Sequence, residues 1–207
     1  MNDNAKMKIV VLVSGRGTNL QAIIDAQLSK TIGSHITMVI SNKKNVAALI
    51  RAKKANIPSQ VIDSKGKSKE DYNQKLEEVL QQLNPDLIVL AGYMKIIPPA
   101  IVSCFSNKII NIHPSLLPSF PGLNAQQQAL NSGVKITGCT VHFVDNGCDT
   151  GPIILQECER IQDNDSEESL SSRLLKKEHI LLVQAIQLIE NNKVILQDRK
   201  TLLREEA

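Results

Sequence analysis

The chain has 207 residues, a formal net charge of +3 and 42% hydrophobic residues, enough for one α/β domain with a sizeable core. Aromatic residues make up only 2%, with no Trp, which argues against a protein that stacks nucleic-acid bases on an aromatic platform. The balance of 24 basic and 21 acidic residues excludes a DNA-coating protein. It still permits a local site for an anionic small molecule.

The first residues show no signal peptide, and no apolar run approaches the length of a membrane span. We therefore expect a cytoplasmic protein with no membrane and no nucleic-acid partner. Four cysteines lack any Cys-x-x-Cys pair and any His partner at zinc spacing, which predicts reduced thiols and no metal site. They are Cys104, Cys139, Cys148 and Cys158.

Hydrophobic periodicity predicts strands that alternate with helices along the first half. The predicted strands are residues 8–14, 36–40, 60–63, 86–91, 108–113, 136–144, 152–161 and 194–196. The predicted helices are residues 18–27, 45–55, 68–83, 98–105, 124–131 and 166–190. We expect Thr18 and Ser68 to cap their helices, and a charged tail to follow residue 196. The alternation predicts a doubly wound, mostly parallel sheet with helices on both faces and ligands at the carboxyl ends of the strands. Residues 136–144 and 152–161 are expected to be antiparallel neighbours.

A glycine-containing loop, residues 14–19, joins the first strand to the first helix. Its glycines permit a tight turn, and the helix N-terminus favours a phosphate. Leu20 stands where a dinucleotide fingerprint needs a third glycine, and the Gly-Lys-Ser/Thr ending of a P-loop is absent. The pattern alone leaves two interpretations, a phosphate site and a tight turn without a ligand.

Asn111 and His113 lie two residues apart on a predicted strand, so their side chains share one face near its end. An amide can donate to a developing oxyanion and an imidazole can move protons, as acyl or formyl transfer requires. A structural, hydrogen-bonded histidine explains the pattern equally well. We interpret His142 and His179, inside a predicted strand and a predicted helix, as structural.

Two aspartates, Asp145 and Asp149, occupy the glycine-containing loop between the predicted antiparallel strands. A carboxylate near His113 would favour its imidazolium form. The pattern does not choose between the two aspartates, and either could be a solvated turn residue.

Four segments together resemble the folate-dependent formyltransferases. Asn-Ile-His-Pro-Ser-Leu-Leu-Pro at residues 111–118 and Asp-Thr-Gly-Pro-Ile-Ile at 149–154 match motifs of that family. The segments 11–23 and 90–97 are similar to the members that formylate glycinamide ribonucleotide in purine synthesis. The resemblance extends from Ile9 to about Glu190. It implies transfer of the formyl group of 10-formyltetrahydrofolate to the amine of glycinamide ribonucleotide, without a metal.

The resemblance also assigns roles to individual residues. It implies a catalytic set of Asn111, His113 and Asp149 rather than Asp145. The implied ribonucleotide-binding residues are Gly17, Thr18, Asn19 and Glu178. The implied folate-binding residues are Lys69, Met94, Lys95, Ile96, Ile97, Asn111 and Val144. We expect a single formyltransferase domain over residues 1–207, with a Rossmann-like phosphate-binding half (1–105) and a folate-binding and catalytic half (106–207).

The sequence departs from the family at three positions. Lys69 and Lys95 stand where relatives commonly have Arg, which keeps the charge but loses the bidentate fork that suits a carboxylate. Asn124 stands where relatives often have His. We expect altered affinity for the folate glutamate and unaltered chemistry.

The main alternative is a formyltetrahydrofolate deformylase-like hydrolase, which shares the same three catalytic residue types. That enzyme usually has an additional N-terminal domain, for which we expect no room before Ile9, and a second His where Pro114 stands. Methionyl-tRNA formyltransferase needs a further C-terminal domain. The length therefore favours the ribonucleotide-formylating members.

Overall fold

The structure is a computed structural model that describes residues 6–204. Its strands are β1 (Lys8–Val13), β2 (His35–Ser41), β3 (Ser59–Val61), β4 (Leu87–Leu90), β5 (Ile109–His113), β6 (Ile136–Phe143), β7 (Ile153–Arg160), β8 (Val194–Gln197) and β9 (Lys200–Leu203). Its helices are α1 (Thr18–Leu28), α2 (Ala47–Lys54), α3 (Lys69–Leu83), α4 (Pro99–Cys104), α5 (Ala125–Asn131) and α6 (Glu167–Glu190). Every predicted element is present, with bounds that differ by at most two residues.

Two local expectations are wrong. Thr18 does not cap α1, because Gly17 occupies the cap position with a left-handed φ of 70° and Thr18 is the first helical residue. The end of the described chain is a strand rather than a charged tail, since β9 pairs antiparallel with β8 in a separate two-stranded sheet. The apolar segment of β9 is short and is flanked by charged residues, so the sequence did not indicate a strand there. The cap of α3 is confirmed, because the Asp71 N–H donates to Ser68 Oγ at 3.0 Å.

The main sheet has seven strands in the order β3-β2-β1-β4-β5-β6-β7. β1 pairs parallel with both β2 and β4, so the chain reverses its direction of winding at β1. This is the switch point at which doubly wound folds bind ligands. β6 runs antiparallel to β7, as predicted, and also to β5, which the sequence did not indicate. The predicted mixed, mostly parallel fold is confirmed.

The continuous hydrophobic runs of the sequence form strands that are buried in the sheet. Residues Ile9 to Val13 of β1 are fully buried, and all of β4 is buried, as expected for a strand with neighbours on both sides. Packing divides the chain into two compact units, one ending at Ile109 and one beginning at Ile110. In the second unit, Leu170 and Leu174 of α6 pack with Ala129 and Ile161 in a buried cluster.

Within residues 6–204, none of the helices combines the length and the apolar character needed to cross a membrane.

Candidate active site

Strand β5 carries the two polar residues that the sequence analysis singled out. Asn111 and His113 lie two residues apart, so the pleat directs both to one face. His113 is the last residue of the strand and is only 4% exposed. A buried imidazole requires hydrogen-bond partners, because an unsatisfied buried polar group is costly. The hydrogen-bond partners of His113 therefore identify the other residues of the site.

Asp149 is the carboxylate that meets both of these residues. Its Oδ2 lies 3.3 Å from His113 Nδ1, and its Oδ1 accepts from Asn111 Nδ2 at 3.3 Å. Gly122 N–H donates to Oδ2 at 2.8 Å, which fixes the carboxylate from a second loop. Asp149 has a left-handed φ of 55°, a conformation that aspartate tolerates better than most residues. We call Asn111, His113, Asp149 and His142 the polar cluster. The contacts of His142 are described below.

The surroundings of Asp149 keep it ionised. Burial acts to raise its pKa, but the close approach of His142, the hydrogen bond from the Gly122 N–H and the nearby His113 outweigh that effect and lower the pKa to about 2. At neutral pH the group is therefore a stable carboxylate and a weak base. This favours an orienting and electrostatic role over proton storage.

His113 faces an oxygen acceptor on each side of its ring. Nδ1 faces the Asp149 carboxylate at 3.3 Å, and Nε2 lies 2.9 Å from the carbonyl oxygen of Phe120. Both contacts are satisfied together only when both nitrogens carry a proton. The arrangement therefore suits the imidazolium form, which can donate to a substrate oxygen.

His142 of β6 is the residue that the sequence analysis missed. The register places it opposite Asn111. Its Nδ1 donates to the Phe143 carbonyl at 2.8 Å, which leaves Nε2 to accept from Asn111 Nδ2 at 3.2 Å. Nε2 also lies 3.6 Å from Asp149 Oδ1. Only the strand register could have indicated this role, and the sequence does not show which residues of two strands face each other.

Asp145 takes part in a different set of contacts. Its Oδ1 accepts from Thr150 Oγ1 at 2.7 Å and from the Gly147 N–H at 3.0 Å, within its own turn. Burial acts to raise the pKa of Asp145, but these bonds and Arg199 lower it overall. Geometry therefore separates the two aspartates that the local sequence pattern left equivalent: Asp149 joins His113, and Asp145 shapes the loop.

The glycine loop lies in the first compact unit. A Cβ at Gly17 would stand 2.6 Å from the Ala48 Cβ, so only glycine fits between α1 and α2. Thr18 and Asn19 open α1, and the Asn19 side chain is largely buried. The backbone is thus held tightly at a helix N-terminus, an arrangement that suits an anion.

The loop after β4 lies beside the loop after β1. The Met94 N–H donates to Ser14 Oγ at 2.8 Å, which joins the two loops at the switch point. Met94 and Ile96 are 63% and 72% exposed, whereas Ile97 is buried. Lys95 lies over the ring of Tyr72, 4.6 Å from its centroid, and the Tyr72 and Tyr93 hydroxyls are hydrogen-bonded.

Three further predicted site residues lie outside the polar cluster. Lys69 is the exposed first residue of α3, and Val144 is half-buried immediately after β6. Glu178 is buried on α6. Burial of Cys139 raises the pKa of its thiol to about 12, and the nearby charge of Glu178 contributes to this increase. Across residues 6–204, no group of three or more His, Cys, Asp and Glu side chains is arranged to hold a metal ion.

The strand β5 of a mixed α/β sheet carries an asparagine and a histidine that both contact an aspartate of a neighbouring loop, an arrangement that suits group-transfer enzymes acting through hydrogen-bond donors. Comparison with known proteins narrows that class. The sequence profile of the formyl transferase family matches residues 7–186. The chain belongs to this family and is an enzyme of it.

Individual relatives agree with this placement. The chain is 44% identical to the phosphoribosylglycinamide formyltransferase of Haemophilus influenzae over 95% of this chain and 93% of that protein. It is 45% identical to the trifunctional purine biosynthetic protein adenosine-3 of Bos taurus over 92% of this chain. It spans only 19% of that longer protein.

Solved structures show the same fold. Glycinamide ribonucleotide transformylase 1 from Symbiobacterium toebii superposes with a TM-score of 0.95 at 41% identity, covering 98% of this chain and 96% of that one. A formyltetrahydrofolate deformylase from Pseudomonas syringae superposes with a TM-score of 0.92 but at 29% identity, covering 98% of this chain and 67% of that one. The deformylase alternative is thus the less supported of the two.

Proposed function

We propose that this enzyme transfers the formyl group of 10-formyltetrahydrofolate to the amine of glycinamide ribonucleotide, yielding formylglycinamide ribonucleotide and tetrahydrofolate. The observation that carries the proposal is the contact of Asp149 with both Asn111 and His113. That geometry supplies a fixed carboxylate, a doubly donating imidazole and an amide at one point. Relatives that share most of the chain's length are named for this reaction.

The polar cluster would stabilise the tetrahedral intermediate. The amine nitrogen attacks the formyl carbon, and negative charge develops on the formyl oxygen. His113 Nε2–H, which donates to the Phe120 carbonyl in the structure, would donate to that oxygen instead. Asn111 Nδ2, whose two N–H groups face Asp149 and His142 in the structure, would redirect the one that faces Asp149 and so add a second donor. Each donor of this kind is worth roughly 3 kcal/mol in an oxyanion site.

The proton and the leaving group balance without a covalent enzyme intermediate. A carbon–nitrogen bond forms to the amine, and the bond between the formyl carbon and the folate nitrogen breaks. The proton lost by the amine ends on that departing nitrogen. Because the pKa of Asp149 is about 2, its part would be to hold the His113 imidazolium in place rather than to carry this proton.

The two substrates would use the remaining predicted residues. We propose that Gly17, Thr18 and Asn19 bind the 5′-phosphate of the ribonucleotide, supported by the tight backbone at the start of α1, and that Glu178 binds the same substrate.

For the folate we propose Lys69, Met94, Lys95, Ile96, Ile97, Asn111 and Val144. Exposed Met94 and Ile96 support this choice, because exposed apolar side chains of this size are suited to a flat ring system. With so few aromatic residues in the chain, aliphatic walls would hold the pterin.

The test compares two aspartates of one loop. Asp149→Asn is expected to lower kcat for formyl transfer to glycinamide ribonucleotide by about a hundredfold or more, because His113 loses its charged partner. Asp145→Asn is the matched control, with the same chemical change four residues earlier, and is expected to retain most of the activity.

Acceptor competition separates the proposed reaction from its alternative. Formylglycinamide ribonucleotide should be the main product when water is the only other acceptor. Release of free formate at the same rate with and without the ribonucleotide would instead indicate a deformylase. An unchanged rate in Asp149→Asn would remove the proposed role of that residue.

A further inference from the structure

Arg51 of α2 contacts the glycine loop, although it is not one of the residues proposed to bind the ribonucleotide. Its Nε donates to the Arg16 carbonyl at 3.0 Å, and its Nη1 donates to Gln21 Oε1 at 3.1 Å. Gln21 in turn donates through Nε2 to Asp25 Oδ1 at 2.9 Å. One guanidinium thus connects the loop to the first turns of α1.

Three consecutive carbonyl groups of the loop, those of residues 15–17, accept hydrogen bonds from donors on α1 and α2. The Gly15 carbonyl accepts from the Ala48 N–H at 3.1 Å, and the Gly17 carbonyl accepts from the Gln21 N–H at 2.9 Å. The Arg16 carbonyl between them is the one held by a side chain, that of Arg51. A single residue therefore controls the central peptide of the loop.

Because the peptide group is planar, the contact with the Arg16 carbonyl also sets the direction of the next N–H group in the chain. A planar trans peptide points its C=O and the following N–H in opposite directions. Holding the Arg16 carbonyl toward α2 therefore points the Gly17 N–H away from α2. In the same way, the bond to the Gly17 carbonyl sets the direction of the Thr18 N–H. These are N–H groups that the proposed phosphate site would use.

We infer that Arg51 is a positioning residue for the phosphate site, which orients the Gly17 peptide and adds positive charge beside it. The inference rests on the proposed function. A bidentate contact suits this task, because guanidinium is a planar fork that spans two acceptors, whereas the ammonium of lysine is a point charge. Arg51 therefore acts on ribonucleotide binding and not on the formyl chemistry.

Three variants test the inference. Arg51→Ala is expected to raise KM for glycinamide ribonucleotide by about tenfold, the effect of losing one charge-assisted hydrogen bond. Its KM for the formyl donor and its kcat at saturating ribonucleotide should stay within about twofold of the wild-type values. Arg51→Lys should recover only part of the loss, because it restores the charge without the fork. Lys54→Ala removes one positive charge from an exposed position of the same helix and should leave all constants unchanged.

A substrate that lacks the 5′-phosphate shows where Arg51 acts. Wild-type enzyme should prefer the ribonucleotide to the dephosphorylated ribonucleoside in kcat/KM, and Arg51→Ala should reduce that preference by about tenfold. Calorimetric titration of the ribonucleotide in the absence of formyl donor should show the same loss of affinity. Thermal unfolding of each variant monitors the fold.

The outcomes separate this inference from the proposed function. Wild-type enzyme that formylates neither acceptor overturns the proposed function. Wild-type transfer with an unchanged phosphate preference in Arg51→Ala overturns the inference alone. Arg51→Lys behaving as wild type would show that charge suffices, which contradicts a role in orienting the peptide.

Discussion

His142 Nε2 lies 3.6 Å from Asp149 Oδ1 and accepts a hydrogen bond from Asn111. His142 is only 2% exposed, and its Nδ1–H is held by the Phe143 carbonyl. The ring therefore has one fixed orientation. It positions Asn111, one of the three residues proposed to act on the formyl group, and lies beside a second, Asp149.

His142→Leu should therefore impair formyl transfer without loss of either substrate's affinity. Leucine fills most of the volume but offers no acceptor to the Asn111 amide. We expect kcat to fall by about tenfold or more, and both KM values to change little. Steady-state kinetics checks this, with His35→Gln at an exposed position as control. A rise in KM alone would contradict the proposed positioning role.

Asp149 should contribute to acid stability. Its folded pKa, about 2, lies below the unfolded value of 3.8. Its stabilising contribution is therefore fully present above about pH 4 and is lost as the pH falls toward 2. Asp149→Asn should be less stable than wild type at pH 7, and the difference should shrink below pH 4. Denaturant unfolding at pH 7, 4 and 3 measures it, and a difference that grows on acidification would have the wrong sign.

Gly17 and Gly15 should respond differently to the same substitution. In Gly17→Ala the new methyl group meets Ala48 at 2.6 Å, and the residue must keep a left-handed φ of 70°. We expect a loss of about 2 kcal/mol or more in unfolding free energy. In Gly15→Ala the methyl group meets nothing within 4 Å, so stability should change little. Equal losses would show that α2 does not confine the loop.

Arg199 connects the β8–β9 turn to the loop that carries Asp149. Its Nη2 donates to the Thr150 carbonyl at 2.7 Å and lies 3.3 Å from Asp145 Oδ2. Since the side chain is 72% exposed, the ion pair itself adds little stability. Arg199→Ala should lower kcat by about threefold, with the unfolding free energy within about 0.5 kcal/mol of wild type. Lys200→Ala, the neighbouring charge in the same hairpin, is the control and should keep the wild-type kcat.

The two tyrosines should report alkaline unfolding. Burial raises the pKa of Tyr72, and burial together with Tyr72 raises that of Tyr93 well above its usual range. The unfolded chain therefore ionises first, and stability should fall as the pH rises above about 10. With no Trp in the chain, tyrosinate absorbance near 295 nm should rise together with the loss of helical circular dichroism. A rise in absorbance that precedes unfolding would contradict this burial.

The residues themselves determined the elements of the fold. Continuous apolar runs such as Ile9–Val13 become strands buried on both sides, and Ser68 caps its helix because the preference acts within a few residues. The motif around Asn111 and His113 was sufficient to predict the family. These are local properties, carried by neighbours in the chain.

Tertiary structure decided which polar groups meet. By local pattern Asp145 and Asp149 are equivalent, and the resemblance to the family was needed to favour Asp149. Folding of the loop onto β5 is what brings Asp149 to His113. His142 enters the polar cluster through strand register, and Arg51 reaches the glycine loop because α2 packs on Gly17. These contacts join residues far apart in the chain, so no local pattern of amino acids encodes them.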